Sequence, residues 1–362
     1  MTLRIAGMGW VTPLGSGVSA VWERLLKGEG ANAEAVSTPL NERTYHAFRV
    51  PPEATAGAPP HPRLRRSSAI SRFAVVAGLQ ALEDAGLKLD VAAAERTALI
   101  FAISNGGVIY TKRFYHDIVQ SGAQAASPLL FPETVFNAPA SHLAAILGIT
   151  GASYTLVGDG AVGVLALKMA EDLMSGGVLG RCLVVGAEEA DWLLCDAYRR
   201  WRLLRTAPPI EPFSHPPHGT ILSEGAGAVL LESAGDGAVA IEKIEAGCNF
   251  EHRSHAAACL GELMERLGVR DADLVIASAN GTFIDAAEKS ALSRHAPAAR
   301  VFAPKAALGE SVGASSLWQV ITAANALRTG ELPDGAVRTE RAIVSACGLN
   351  QQVAALSLVL RD

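Results

Sequence analysis

Side chains that could act as nucleophiles or metal ligands are few and widely spaced in this sequence. The five cysteines show no C-x-x-C spacing of the kind used in redox and zinc sites. An odd number without such spacing argues against a disulfide framework, so we expect all of them to be reduced. They are Cys182, Cys195, Cys248, Cys259 and Cys347.

Two His-x-x-His pairs have a spacing that occurs in metal sites, His215 with His218 and His252 with His255. The first pair lies in a proline-rich stretch and the second has no clear helical setting. Neither pair is therefore expected to present two imidazoles on one helix face. The sequence predicts no metal site and no other cofactor.

Composition limits the class of protein. The 362 residues include 31 basic and 36 acidic ones, and the net charge of −5 is spread along the chain. Such a balance lacks the electrostatic footprint of a protein that binds nucleic acid or an anionic membrane. Glycines and a proline interrupt the first fifteen residues, so we predict neither a signal peptide nor a membrane span, and expect a cytoplasmic location.

Strands and helices are predicted to alternate along this chain. Ser67 or Ser68 can cap a helix that Gly86 ends. One face of that helix is apolar and comprises Ile70, Phe73, Ala74, Ala77 and Ala81. Short apolar runs predict strands at Leu3–Met8, Thr97–Ile103, Cys182–Val185, Ala228–Glu232, Leu274–Ala279, Val301–Ala303, Ala342–Ala346 and Ala354–Leu360. This alternation, with 35 glycines, predicts an α/β protein with a covered sheet.

Two pairs of similar segments indicate an internal duplication. Residues 97–107 resemble residues 273–282 in their apolar run and in the Asn-Gly that follows it. Residues 158–186 resemble residues 309–348, because each begins with a Gly and an acidic residue, continues into a helix and ends in a strand. Since the order is the same in both halves, we predict two fused copies of one unit.

Two stretches are predicted to be connections. The Gly/Ala-rich stretch Glu232–Gly237 is expected to join an N-terminal half, residues 1–235, to a C-terminal half, residues 236–362. Gly28–Pro62 is poor in periodic apolar residues and is predicted to be a surface loop.

Four further segments follow one another in an informative order. They are Ile5–Gly15 (IAGMGWVTPLG), Ala81–Leu87 (ALEDAGL), Asn137–Ala140 (NAPA) with Leu143-Ala144 after it, and Leu222–Ala228 (LSEGAGA). In this order and spacing they resemble the β-ketoacyl-acyl-carrier-protein synthases (ketosynthases) and their chain-length-factor relatives over essentially the whole chain. The resemblance implies an α/β protein with a duplicated thiolase-like fold of five layers, αβαβα.

The chemistry of that family needs one cysteine and two histidines. The resemblance implies that the cysteine attacks an acyl thioester from the start of a buried helix, whose N-terminus favours the thiolate. The histidines assist decarboxylation of a malonyl thioester and stabilise the oxyanion. By position, these three residues fall on Val157, Asn280 and Glu310. Valine offers no nucleophile, asparagine cannot shuttle a proton, and a carboxylate repels an enolate. We therefore predict no catalytic residue.

Each of these replacements also has a structural explanation. Val157 is expected to pack in the core at the end of a strand. Asp159 and Glu310 occupy equivalent places in the similar segments 158–186 and 309–348. Both are expected to be negative charges near helix N-termini. A rewired catalytic carboxylate is the alternative for either residue.

The resemblance places other residues near the site. Thr282 either contacts a pantetheine arm or bonds its own backbone. Cys347 falls about where the family has a gatekeeper phenylalanine beside the acyl pocket. Cys347 and Cys195 are also alternative nucleophiles, although neither begins a helix. Lys305 and Glu288 match a lysine and a glutamate that the family keeps near the site.

The resemblance leaves three functions open. The leading one is a non-condensing subunit of fatty acid, polyene or polyketide synthesis that pairs with an active ketosynthase, as chain length factors do, and bounds the acyl pocket. The second is an acyltransferase with displaced catalytic residues, and the third is an acyl- or carrier-protein-binding homodimer. The basic cluster Arg63, Arg65 and Arg66 is either a site for an acyl carrier protein or a solvated lead-in to a helix.

Pairing of subunits in this family uses the strand before the nucleophile helix, here Ser153–Leu156. His142 and Phe136 are expected either near that contact or on an apolar helix face. One departure concerns Val157, because chain length factors often carry glutamine at that position.

Overall fold

The strands and helices of the computed structural model alternate along the chain, and the structure describes residues 3–39, 42–233, 235 and 237–361. The strands of the N-terminal half are β1 (Leu3–Thr12), β2 (Gly15–Ser16), β3 (Ala33–Ser37), β4 (Thr44–Phe48), β5 (Thr97–Ile103), β6 (Ser153–Val157), β7 (Arg181–Glu188), β8 (Leu222–Ser223) and β9 (Gly225–Glu232). Its helices are α1 (Val18–Leu26), α2 (Ala69–Asp84), α3 (Val91–Glu95), α4 (Val108–Ser121), α5 (Ala138–Leu147), α6 (Val162–Ser175) and α7 (Trp192–Arg200). The C-terminal half contains β10 (Val239–Glu245), α8 (Ala256–Leu267), β11 (Leu274–Ile276), α9 (Phe283–His295), β12 (Arg300–Phe302), α10 (Lys305–Leu308), α11 (Ser315–Thr329), β13 (Glu331–Leu332), β14 (Gly335–Ala336), β15 (Arg341–Cys347) and β16 (Val353–Leu360).

The two halves of the chain repeat one sheet topology. The first has the order β1-β9-β7-β5-β6 and the second the order β10-β16-β15-β11-β12. In both orders the first two pairings are antiparallel and the last two are parallel. β1 pairs with β10 and joins the half-sheets. The duplicated α/β fold predicted from the sequence is thereby confirmed. The predicted boundary lies between β9 and β10 and stays a prediction, because residues 234 and 236 lie outside the described residues.

The helices and half-sheets form layers. α6 and α11 pack with both half-sheets in one central core cluster. α2 and α5 cover the outer face of the first half-sheet, while α8 and α9 cover that of the second. The central helices approach closely, since a side chain at Gly163 would bring its Cβ to 2.6 Å from Ser316 Oγ. This arrangement is the five-layer αβαβα fold.

Each predicted strand lies within or overlaps a strand of the structure, because buried apolar runs identify interior strands well. The five predicted apolar residues of α2 are all buried. That helix ends just before Gly86. The φ of 61° at Gly86 is a left-handed conformation that residues other than glycine rarely adopt.

The prediction of a surface loop over Gly28–Pro62 is wrong. β3 and β4 form an antiparallel pair in this stretch, and β4 also pairs in parallel with β8. Its apolar residues, including Val36 and Tyr45, contribute to the core cluster that contains α7. The strands are too short to give a clear periodicity. Residues 40 and 41 of this stretch lie outside the described residues.

The prediction that all cysteines are reduced is wrong for two of them. Cys248 and Cys259 form a disulfide with their Cα atoms 6.0 Å apart. The segment after β10 folds back onto the first turn of α8, and no local spacing rule detects such a contact. The other three cysteines are free and buried.

Histidines of both His-x-x-His pairs contact other side chains. His218 hydrogen-bonds Glu211, and the rings of His252 and His255 pack edge to face. In the described part of the chain, no group of three His, Cys, Asp or Glu side chains could hold a metal ion. No helix among these residues is both long and apolar enough to cross a bilayer.

Candidate active site

The two positions predicted for the family's histidines lie side by side in the structure. Asn280 follows β11, and Glu310 lies just after α10. Asn280 Nδ2 donates a hydrogen bond of 2.7 Å to Glu310 Oε2, and both side chains are buried. The fold therefore brings an amide and a carboxylate together at these two positions.

Lys305 neutralises the Glu310 carboxylate. Lys305 Nζ lies 2.8 Å from Glu310 Oε2, and the side chains are only 2% and 1% exposed. The ammonium also donates to Ser278 Oγ, which bonds the backbone of Cys347. Glu310 thus belongs to an interior ion pair, whereas the predicted role was a negative charge near the N-terminus of α11, which begins later, at Ser315.

Thr282 and Glu288 form hydrogen bonds with other groups of the protein. The Thr282 hydroxyl donates to Asn280 Oδ1 at 2.7 Å and accepts from Ile284 N as the cap of α9. Glu288 accepts from two backbone N–H groups, and burial raises its pKa to about 7. Thr282 is buried in this conformation, so its contact with a substrate stays a prediction.

Asp159 ties the two halves of the chain together. Its carboxylate accepts from Gly160 N and from three backbone N–H groups of the loop after β15, at residues 349–351. In return, Asp159 N donates to Gln352 Oε1. Three of the four N–H groups come from the other half, so this loop, rather than the N-terminus of α6, is its main partner.

Val157 does not pack in the core. It ends β6, which among the described residues pairs with β5 alone and forms one edge of the sheet. Its side chain is 52% exposed. A strand at the edge lacks a neighbour to cover it, which explains why the prediction of core packing is wrong. The stretch from Ser153 to the start of α6 contains no cysteine, so this stretch itself supplies no thiol.

Two buried thiols, those of Cys347 and Cys195, favour their protonated form. Cys347 is buried, and burial, with the charges of Glu288 and Asp159, raises its pKa well above the usual range. Burial also raises the pKa of Cys195 to about 12. No cysteine sulfur hydrogen-bonds an imidazole among the residues that the structure describes. Such thiols are poor nucleophiles, because the thiolate is the reactive form.

Glu188 and Tyr198 also belong to this buried cluster, and neither is among the residues predicted from the sequence to lie near the site. Glu188 accepts from Ser104 N and Asn105 N, and burial raises its pKa to about 8. Burial raises the pKa of Tyr198 well above its usual value, and the nearby acidic side chains Asp159, Glu310 and Glu188 raise it further. Tyr198 therefore lies among three acidic groups. The signal in the sequence was an acidic residue at the end of a buried strand, since Glu188 is the last residue of β7.

Glu188 should make stability depend on pH. Its raised pKa means that the folded state favours the protonated form, so this stabilisation is present below about pH 4.5 and is lost as pH rises through about 8. Relative to Glu188→Gln, the wild-type free energy of unfolding should fall by up to about 1.4 kcal/mol per pH unit in this window. Urea unfolding between these limits measures the difference. Glu265→Gln, an exposed change on α8, should keep the wild-type slope, and an equal slope in Glu188→Gln would contradict the assignment.

Proteins of one family resemble this chain in sequence. The family model described as "Beta-ketoacyl synthase, N-terminal domain" matches residues 2–236. Nodulation protein E of Rhizobium leguminosarum bv. trifolii is 26% identical over 91% of this chain and 87% of its own length. The 3-oxoacyl-[acyl-carrier-protein] synthase 2 of Vibrio cholerae is 25% identical over 63% of this chain and 57% of its own length.

Two solved structures share the fold. The ishigamide ketosynthase/chain length factor has a TM-score of 0.88 at 21% identity, with 100% of this chain and 99% of that chain covered. A ketosynthase in complex with its chain length factor from Xenorhabdus doucetiae has a TM-score of 0.85 at 16% identity, with 99% and 98% covered. Because the family model spans more than half of the chain, the protein belongs to the β-ketoacyl synthase family.

Proposed function

We propose that this chain is a non-condensing member of the family that pairs with an active ketosynthase and bounds the pocket in which an acyl chain grows. The observation that carries this proposal is the buried Asn280–Glu310–Lys305 cluster at the positions assigned to the histidines. It contains no imidazole to move a proton, and its carboxylate stands where an oxyanion would need a hydrogen-bond donor.

The lack of a nucleophile supports the same proposal. Val157 and its neighbours from Ser153 to the start of α6 supply no sulfur. Cys347, the alternative nucleophile, is buried with a raised pKa and has no imidazole among its described hydrogen-bond partners. An acyltransferase with displaced residues would need an accessible thiolate or another activated group. An acyltransferase with displaced catalytic residues is therefore less well supported than a non-condensing subunit.

An exposed apolar surface supports pairing with another subunit. Tyr154 and Val157 on the edge strand β6 are each about half exposed. The segment before α5 adds Phe131, Val135 and Phe136 as further exposed apolar side chains. An open strand edge beside apolar side chains suits strand pairing with a related subunit. His142 hydrogen-bonds Glu133 at 2.7 Å and its side chain is mostly covered. It therefore lies beneath this apolar surface and is not part of it.

The partner in this proposal is a ketosynthase, since the similar structures include a ketosynthase in complex with its chain length factor. An acyl carrier protein would deliver the substrate to the pair. Fatty acid, polyene and polyketide synthesis all remain within the proposal, and the cytoplasmic location stays a prediction from the sequence.

Co-purification tests this assignment. The tagged chain should retain a ketosynthase from its native cell extract, and the purified pair should form a 1:1 complex by light scattering after gel filtration. A tight homodimer that excludes every ketosynthase would contradict the proposal and favour the third function, an acyl- or carrier-binding homodimer.

A further inference from the structure

The Cys248–Cys259 disulfide joins the segment after β10 to the first turn of α8. We propose that this bond is a reversible redox switch, which locks the loop after β15, residues 348–352, when oxidised and releases it when reduced. The switch does not depend on the proposed function, because it involves no residue of the Asn280–Glu310–Lys305 cluster.

Cys248 lies in a short stretch of backbone that pairs with this loop. Its carbonyl oxygen accepts a hydrogen bond of 3.3 Å from Val353 N, and Phe250 N donates one of 2.9 Å to Gln351 O. These two bonds flank an antiparallel bridge between the two stretches. The disulfide therefore restrains the stretch of backbone that holds one side of the loop.

The other side of the loop is bonded to the first half of the chain. The N–H groups of residues 349, 350 and 351 donate to the Asp159 carboxylate at 3.1, 2.7 and 3.0 Å. In return, Asp159 N donates to Gln352 Oε1 at 2.8 Å. The loop thus lies between the disulfide-bonded stretch and Asp159, so freeing Cys248 loosens one of the two sets of bonds that hold it.

The core holds both ends of the disulfide without its help. β10 pairs with β1 and β16, and α8 buries Leu260, Leu263 and Leu267 in the outer core cluster of the second half. Between these elements, residues 251–255 are all exposed. Breaking the bond therefore removes a constraint on the connecting segment and on the loop, while the sheet and its helices stay in place. Such local opening needs less free energy than global unfolding.

The chemistry of the switch is thiol–disulfide exchange with a small thiol such as glutathione. One glutathione thiolate attacks Cys248 Sγ, forms a mixed disulfide and releases the Cys259 thiolate, which takes up a proton. A second glutathione thiolate attacks the glutathione sulfur of the mixed disulfide, which yields glutathione disulfide and the Cys248 thiol. The protein thereby gains two electrons and two protons from two glutathione molecules.

Exposure and location both suit this exchange. Cys248 is half-buried, whereas Cys182, Cys195 and Cys347 are buried. A thiol in solution therefore reaches the disulfide through Cys248. In the cytoplasm, the location predicted from the sequence, disulfides are usually transient or redox-sensing and seldom permanent.

Hydrogen–deuterium exchange of the full chain, followed by mass spectrometry, tests the lock. After reduction with dithiothreitol, peptides that contain residues 348–353 should exchange at least about tenfold faster, because the constraint of the closed loop is lost. Peptides of β7 should exchange as before. The variant Cys248→Ser/Cys259→Ser should match reduced wild type, and dithiothreitol should not change it further, which controls for other effects of the reductant.

A glutathione titration tests whether the bond is reversible. The protein is equilibrated at ratios of reduced to oxidised glutathione that span about a thousandfold, and free thiols are then alkylated with iodoacetamide. Mass spectrometry should show Cys248 and Cys259 passing together from unlabelled to labelled within this range. Reoxidation should return both to the unlabelled state.

Three results would overturn the switch. Equal exchange of residues 348–353 in the oxidised and reduced protein would show that the bond does not lock the loop. Faster exchange of the β7 peptides as well would show that the bond supports the whole fold. Cysteines that stay oxidised, or stay reduced, at every glutathione ratio would show that the bond does not respond to a small thiol.

Discussion

Replacing Glu310 with alanine is expected to lower the free energy of unfolding by about 3–5 kcal/mol. The reason is that Lys305 would become an unpaired charge in the interior, where its side chain is almost fully buried. Asn280 Nδ2 would also lose its acceptor. Urea unfolding of wild type and variant at one pH measures the effect.

A double variant distinguishes the cost of an unpaired buried charge from the loss of the ion pair as a whole. Lys305→Met combined with Glu310→Leu removes both charges and keeps similar volumes, so the double variant should lose less stability than Glu310→Ala alone. If Glu310→Ala costs less than about 1 kcal/mol, the carboxylate is not a structural partner of Lys305. It would then be free for another role, including a catalytic one.

Tyr154→Asp is expected to weaken association with the partner ketosynthase by about thirtyfold or more. The substitution places an unpaired carboxylate on the edge strand β6, and burying such a charge in an interface costs on the order of 2–5 kcal/mol. The isolated chain should fold normally, since Tyr154 is 44% exposed. Surface plasmon resonance against the immobilised ketosynthase measures the affinity.

Val178→Asp is the matched control for Tyr154→Asp. Val178 is an exposed apolar residue in the turn between α6 and β7, and β5 separates β7 from β6 in the sheet order. It should bind like wild type. Equal affinities for wild type and both variants would remove β6 from the interface and with it the proposed mode of pairing.

The interior strands could be predicted from the sequence because burial on both faces produces continuous apolar runs. Strand β10 was missed, since Lys243 and two glutamates interrupt its pattern. Strand β6 was predicted only through the family resemblance, because its residues are half exposed at the sheet edge. Exposure at an edge also explains why Val157 is not a core residue.

The site could be predicted only in part. The family resemblance named Asn280, Glu310 and Lys305 separately, but their mutual bonds depend on how β11 and α10 meet, which local sequence does not encode. Asp159 shows the same limit. Its carboxylate bonds a loop almost two hundred residues later in the chain, and no spacing pattern indicates a contact of that range.

A condensation assay tests the absence of catalysis most directly. The chain is combined with its partner ketosynthase after replacement of the partner's catalytic cysteine by alanine, and β-ketoacyl product and malonyl decarboxylation are both measured. We predict that neither exceeds the uncatalysed rate, although the unmodified pair is active. Product formation that persists in this complex and disappears on Cys347→Ala would show that this chain condenses acyl groups itself.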